Sequence, residues 1–138
     1  MKRKRQFVIC LDFDGVIHWN ISKWCGRAKI LDGVIPGTKD AIRELRRGGR
    51  VVVFSGRCIS DDGINAIQTW LGNHDIEVDA VCRHKPMADV YIDDRAIQFN
   101  GNWTETIDAV KGFDHWQRIG KDAWRRKQRK HRGSFRTI

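Results

Sequence analysis

The sequence predicts an α/β fold, a parallel β-sheet flanked by helices. Three observations carry that prediction. Two short runs, FVICL (residues 7–11) and VVVF (residues 51–54), are apolar without alternation, as strands buried on both faces are. Segments with helical spacing separate successive runs, so strand and helix alternate along the chain. A chain of 138 residues is long enough for one real core and too short for two ordinary domains.

Each element has its own signal. Residues 6–13 read as the first strand. Residues 16–35 show no clean period and hold Trp19, Trp24, Gly26 and Gly33, which reads as a long loop with room for a short hairpin. Pro36-Gly37-Thr38 opens a helix with Thr38 as N-cap; Ala41, Ile42 and Leu45 form its apolar stripe, and Gly48-Gly49 stops it. Residues 50–55 are the second strand. Ser60-Asp61-Asp62 begins a second helix with Ile64, Ile67, Trp70 and Leu71 on one face, closed by Gly72-Asn73. Residues 78–82 and 90–93 are short strands, and 96–99 read as a further edge strand. Residues 103–113 form a third helix, and 115–132 a basic helical or frayed tail. The whole is Rossmann-like: one domain over residues 1–117, followed by a basic tail, 118–138.

Composition narrows the class. At 41% hydrophobic and 31% charged, the chain reads as a soluble globular protein. Cys10, Cys25, Cys58 and Cys82 form no C-x-x-C pair, so the simplest reading is reduced thiols in a cytoplasmic protein. The opening MKRKRQFVICLD has an apolar run of only five residues before Asp12, too short for a signal peptide. No transmembrane stretch follows, so no membrane partner is expected. The net charge of +9 is uneven: residues 2–5 carry +4 and residues 118–138 carry +8, leaving the middle at −3.

The polar residues that matter fall at strand ends, where ligands bind in parallel sheets. The first strand ends in Asp12-Phe13-Asp14, the second in Ser55-Gly56-Arg57, and the fourth in Asp93-Asp94, with Lys85 between the third and fourth. Buried strands do not end in charge without compensation. Acidic residues gathered at one point repel, and a hard divalent cation with oxygen ligands relieves that; magnesium suits such donors better than zinc. A lysine and a serine beside the metal supply the point charge and hydrogen bond that a phosphate needs. Blander readings stand beside these. Asp12 and Asp14 also suit a turn, or a metal-only site such as that of response-regulator receivers. Lys85 also suits a surface loop, and Ser55 a strand-end turn. Arg57 and Arg95 read as solvated more readily than as substrate contacts, and the five histidines, without ligand spacing, as structural or exposed.

DFDGV, FSGR, HKP and YIDDR, in this order, resemble the four signatures of the haloacid dehalogenase-like (HAD) phosphohydrolases. The resemblance spans about residues 6–100. It implies Asp12 as the nucleophile that takes the phosphoryl group and Asp14 as the acid/base. Ser55, Gly56 and Lys85 would form the phosphate site. Asp12, Asp93 and the main-chain carbonyl of Asp14 would bind Mg2+, with Asp94 assisting through water. Carboxylate neighbours are expected to raise the pKa of Asp14. Family members usually gain selectivity from a cap domain inserted after the first or second signature. Here 39 residues separate Gly15 from Ser55 and 29 separate Ser55 from Lys85, too few in either gap for a folded cap. A small capless phosphatase is implied, open to a large substrate or closed by another subunit.

The expected function is therefore magnesium-dependent hydrolysis of a phosphomonoester through an aspartyl phosphate. The basic ends make nucleic acid a candidate partner and phosphorylated nucleic-acid ends a candidate substrate, with Trp19, Lys23, Trp24 and Arg27 available for stacking and phosphate contact. The rival reading is a nucleic-acid-binding module with a vestigial centre. Against it stands the retention of Asp12, Asp14, Lys85 and Asp93, since a vestigial site gains nothing from repelling carboxylates. The sequence leaves the oligomeric state open.

Overall fold

The computed structural model describes residues 2–113. The basic tail and the helix expected over 115–132 lie outside the described residues. The chain divides into two compact units between Asp93 and Asp94.

The first unit holds a parallel sheet of four strands, β1 (Val8–Leu11), β2 (Arg50–Phe54), β3 (Ala80–Cys82) and β4 (Val90–Ile92), in the order β3-β2-β1-β4. This is the predicted α/β, Rossmann-like arrangement. Helices α1 (Thr38–Gly48) and α2 (Asp61–Asn73) make the two crossovers from β1 to β2 and from β2 to β3. Both steps move the same way across the sheet, and right-handed crossovers put both helices on one face. On that face Ile9 and Leu11 lie in register with Val51 and Val53, and all four pack with Ile42 of α1 and with Ile67, Trp70 and Leu71 of α2. Burying a set of this size supplies the main drive to fold, at roughly 25 cal/mol per Å² of apolar surface. Cys10 and Val52 point to the other face and are buried as well, which explains the absence of alternation in both runs.

Two aspartates fasten the strand starts. Asp79 donates its amide to the Val51 carbonyl at 2.8 Å and accepts from the Val51 amide at 2.7 Å. Asp89 does the same to Val8, both bonds measuring 2.8 Å. Each residue thus clamps the neighbouring parallel strand where its ladder begins. Arg46 bonds Asp79 and Arg5 bonds Asp89, so both carboxylates keep a cation beside them.

Several local expectations differ from the structure. The first strand is four residues long, because Asp12 onward turns into the loop. Thr38 does not cap α1: Gly37 holds the cap position with left-handed backbone, and the Thr38 hydroxyl donates back to the Ile35 carbonyl at 2.6 Å. The buried stripe of α1 runs through Thr38 and Ile42, with Leu45 half-buried, while Ala41 is exposed. Ser60 does cap α2, accepting from the Gly63 amide. A 3-10 turn at Gly56–Ile59, not anticipated, joins β2 to α2. Its fit depends on Gly63, where a Cβ would meet the Arg57 carbonyl oxygen at 1.9 Å. The loop over 16–35 contains isolated bridges, Asp14 to His18 and His18 to Val34, in place of a hairpin. β4 is an exposed edge strand of this sheet, with Tyr91 44% accessible.

The second unit, by itself, contains α3 (Trp103–Lys111), capped by Asn102, whose side chain accepts from the Glu105 amide at 3.1 Å. Residues 96–99 form no strand; Phe99 instead packs against Trp103 with ring centroids 4.8 Å apart. Among the described residues, no helix is long and apolar enough to cross a membrane.

Candidate functional site

From β1 the chain steps to β2 and β3 on one side and returns to β4 on the other. The order therefore reverses between β1 and β4, and ligands in open parallel sheets bind outside the carboxyl ends of the strands at that point. Asp12 follows the last residue of β1, and Asp93 follows the last residue of β4. The parallel ladder brings them together, since Leu11 pairs with Ile92 and the Asp12 amide donates to the Ile92 carbonyl at 2.9 Å. A carboxylate oxygen of Asp12 lies within 4.8 Å of one from Asp93, close enough for a single cation to touch both. An all-oxygen pair of this kind suits a hard ion such as magnesium. Asp94, which the sequence groups with them, is the first residue of the second unit.

Of the other predicted residues, Ser55 and Gly56 follow the last residue of β2, and Lys85 lies in the loop between β3 and β4. The buried Cys10 thiol is influenced by Asp12, Lys85 and Asp93. Burial, Cys82, Asp12 and Asp93 push its pKa up to about 11, while Lys85 pulls the other way. Asp12, Lys85 and Asp93 are therefore all within electrostatic reach of one sulfur. Lys85 lies over the Tyr91 ring, its Nζ 4.6 Å from the centroid. The Tyr91 hydroxyl donates to the Pro86 carbonyl at 2.6 Å and accepts from the Ala88 amide at 3.1 Å, so β4 shapes the loop that presents the lysine. Ser55, at the end of β2, is buried and accepts from the Arg57 amide at 3.2 Å. Accepting leaves its hydroxyl hydrogen to donate elsewhere. Gly56, next in the chain, is exposed at the start of the 3-10 turn.

Asp14 is arranged otherwise than expected. Gly15 turns the chain with φ 87°, a conformation in which other residues are strained. Both Asp14 oxygens are engaged, Oδ1 with His18 Nδ1 at 2.9 Å and Oδ2 with Arg57 Nε at 2.8 Å. Its burial would raise the pKa, but the bonds from His18 and Arg57 outweigh that and hold it below the ordinary carboxylate value. The expected upward shift from neighbouring carboxylates is thus reversed by a cation and an imidazole. The Asp14 side chain is not part of the acidic cluster that includes Asp12 and Asp93, and is taken up by His18 and Arg57 instead.

Two residues of this network escaped the sequence reading. Arg57 is 2% exposed and not solvated. Besides Asp14 it reaches the carbonyls of Gly26, Arg27 and Lys29 at 3.2, 2.9 and 2.9 Å, and the Trp24 ring covers it with 4.5 Å from Cζ to centroid. His18 is fully buried between Phe13 and Trp70. Its Nε2 accepts from the Asp32 amide at 3.0 Å, so Nδ1 carries the hydrogen that it donates to Asp14. The only local hint of this was His18 standing four residues after Asp14; Arg57 stands 43 after it. The four cysteines are free thiols.

No known protein family matches the sequence, and no curated protein does. A solved structure, a conserved protein from Bacteroides thetaiotaomicron, is similar to this chain with a TM-score of 0.50 and 22% identity, covering 85% of this chain and 99% of that one. At that identity the likeness supports the fold alone.

Proposed function

We propose that this chain is a magnesium-dependent phosphomonoester hydrolase of the haloacid dehalogenase-like kind, working through an aspartyl phosphate on Asp12. One observation carries the reading: Asp12 and Asp93 bring carboxylate oxygens within 4.8 Å of each other at the β1/β4 reversal. Paired carboxylates call for a cation, and Lys85, presented over the Tyr91 ring of β4, is a cation available to an anion.

In the proposed reaction an Asp12 oxygen attacks phosphorus, and the bond from phosphorus to the leaving oxygen breaks. Where the leaving oxygen needs a proton, the protonated form of Asp14 gives it one. Water then attacks the phosphorus of the aspartyl phosphate and passes a proton to Asp14, releasing phosphate and restoring Asp12. Lys85 and Ser55 hold the phosphoryl oxygens throughout, where alignment and charge neutralisation matter more than nucleophile strength. Asp12, Asp93 and the Asp14 carbonyl would hold magnesium, which supplies further charge neutralisation. The contacts from Arg57 and His18 favour the ionised form of Asp14, suited to activating water. Leaving groups that need no proton should therefore react most readily.

The experiment is hydrolysis of an aryl phosphate with and without magnesium. Turnover should require the metal and vanish with chelator; turnover unchanged after exhaustive metal removal would refute the reading.

A further inference from the structure

The loop that Arg57 anchors is a built surface, although it contains no helix or strand. Asp32 closes its base, accepting from the amides of Ile21 and Ser22 at 2.8 Å each and from the Ser22 hydroxyl at 2.5 Å. Arg57 fixes three carbonyls on its far side. So braced, the loop presents Trp24 54% exposed, with one ring face on the Arg57 guanidinium and the other uncovered by it. Residues 20–31 include Lys23, Arg27 and Lys29, all exposed, and no acidic residue. The opposing charges beside it are Asp32, whose carboxylate is taken up by Ile21 and Ser22, and Asp62, which Arg27 influences. Trp19, by contrast, is buried and belongs to the packing.

We propose that this loop binds single-stranded nucleic acid, an unpaired base stacking on the exposed indole of Trp24 and the flanking phosphates meeting Lys23 and Lys29. Three features select this partner. A half-exposed indole held in place by a guanidinium offers a fixed planar platform that any base can stack on. Cations on both sides of it in sequence suit a repeating anion, and a purely acidic peptide would leave the aromatic face without a planar partner. A duplex keeps its base faces stacked, so only an unpaired strand can use the ring. The bracing by Asp32 and Arg57 means little ordering cost is paid on binding. One guanidinium separates Trp24 from Asp14, so a strand stacked here would bring its phosphate toward the strand ends. That last step rests on the proposed hydrolase activity, while binding itself does not.

The test is anisotropy of a labelled, unphosphorylated oligothymidylate with the full chain, in chelator so that no turnover enters. Trp24→Ala should weaken binding about 5- to 150-fold, the range for losing one base–aromatic stack, and Trp24→Phe should recover most of it. Lys23→Glu, which leaves the loop's internal bonds untouched, should weaken binding and make it less salt-dependent. An abasic strand of equal charge should bind more weakly and ignore Trp24→Ala. Binding unaffected by both Trp24→Ala and Lys23→Glu would overturn the proposal, as would equal affinity for the abasic strand or for polyglutamate. Those results would leave aryl-phosphate hydrolysis untouched, so the two readings fail separately.

Discussion

Arg57 Nε donates to Asp14 Oδ2 across 2.8 Å, and the same guanidinium holds three carbonyls of the loop. A single buried cation thus fixes both a residue of the candidate site and the surface beside it. Its charge is offset by Asp14 within the protein, which makes the pair mutually dependent.

Arg57→Ala should accordingly be severe. It strands a largely buried carboxylate and removes the partner of three carbonyls, a change worth about 3–5 kcal/mol. Urea denaturation of the variant measures it. A loss within about 0.5 kcal/mol, as at an ordinary surface position, would mean that the network does not hold the fold.

The strand clamps give the protein a defined acid response. Asp79 would be raised by burial, but bonds from Arg46 and the Val51 amide bring it below its ordinary value; Asp89 is lowered first by the Val8 amide. A folded-state pKa below the unfolded one contributes stability that is present above the unfolded value and lost as pH falls through the folded one. Asp79→Ala should cost about 1–3 kcal/mol at neutral pH, since the Val51 amide loses a charged acceptor. The difference from wild type should shrink below about pH 4, near the unfolded pKa of Asp. Denaturation midpoints of both proteins across this range test it; a gap constant down to full protonation would contradict the linkage.

How much of this was legible in the sequence follows from where each signal lay. The first two strands could be read because apolar runs buried on both faces are local facts, and Asp12 stood out because charge ended such a run. Asp93 could be placed beside it only through strand order. Arg57 could not be read, because an arginine after a strand end looks solvated until a carboxylate 43 residues upstream is folded against it. His18 was missed for the same reason: burial between Phe13 and Trp70 is a tertiary fact. Trp19 and Trp24 looked alike in sequence, and only packing separated the buried ring from the exposed one. At 96–99 local β-propensity suggested a strand, but the chain there makes no ladder, and Phe99 packs on Trp103 instead.

The central claim, that Asp12 takes the phosphoryl group, is tested most directly by borohydride trapping during turnover of an aryl phosphate. Reduction of an aspartyl phosphate leaves homoserine, which peptide mass spectrometry locates. The account predicts homoserine at position 12, dependent on both substrate and magnesium, and no turnover from a folded Asp12→Asn variant. Wild-type turnover by Asp12→Asn, with no reducible acyl phosphate at that position, would contradict it.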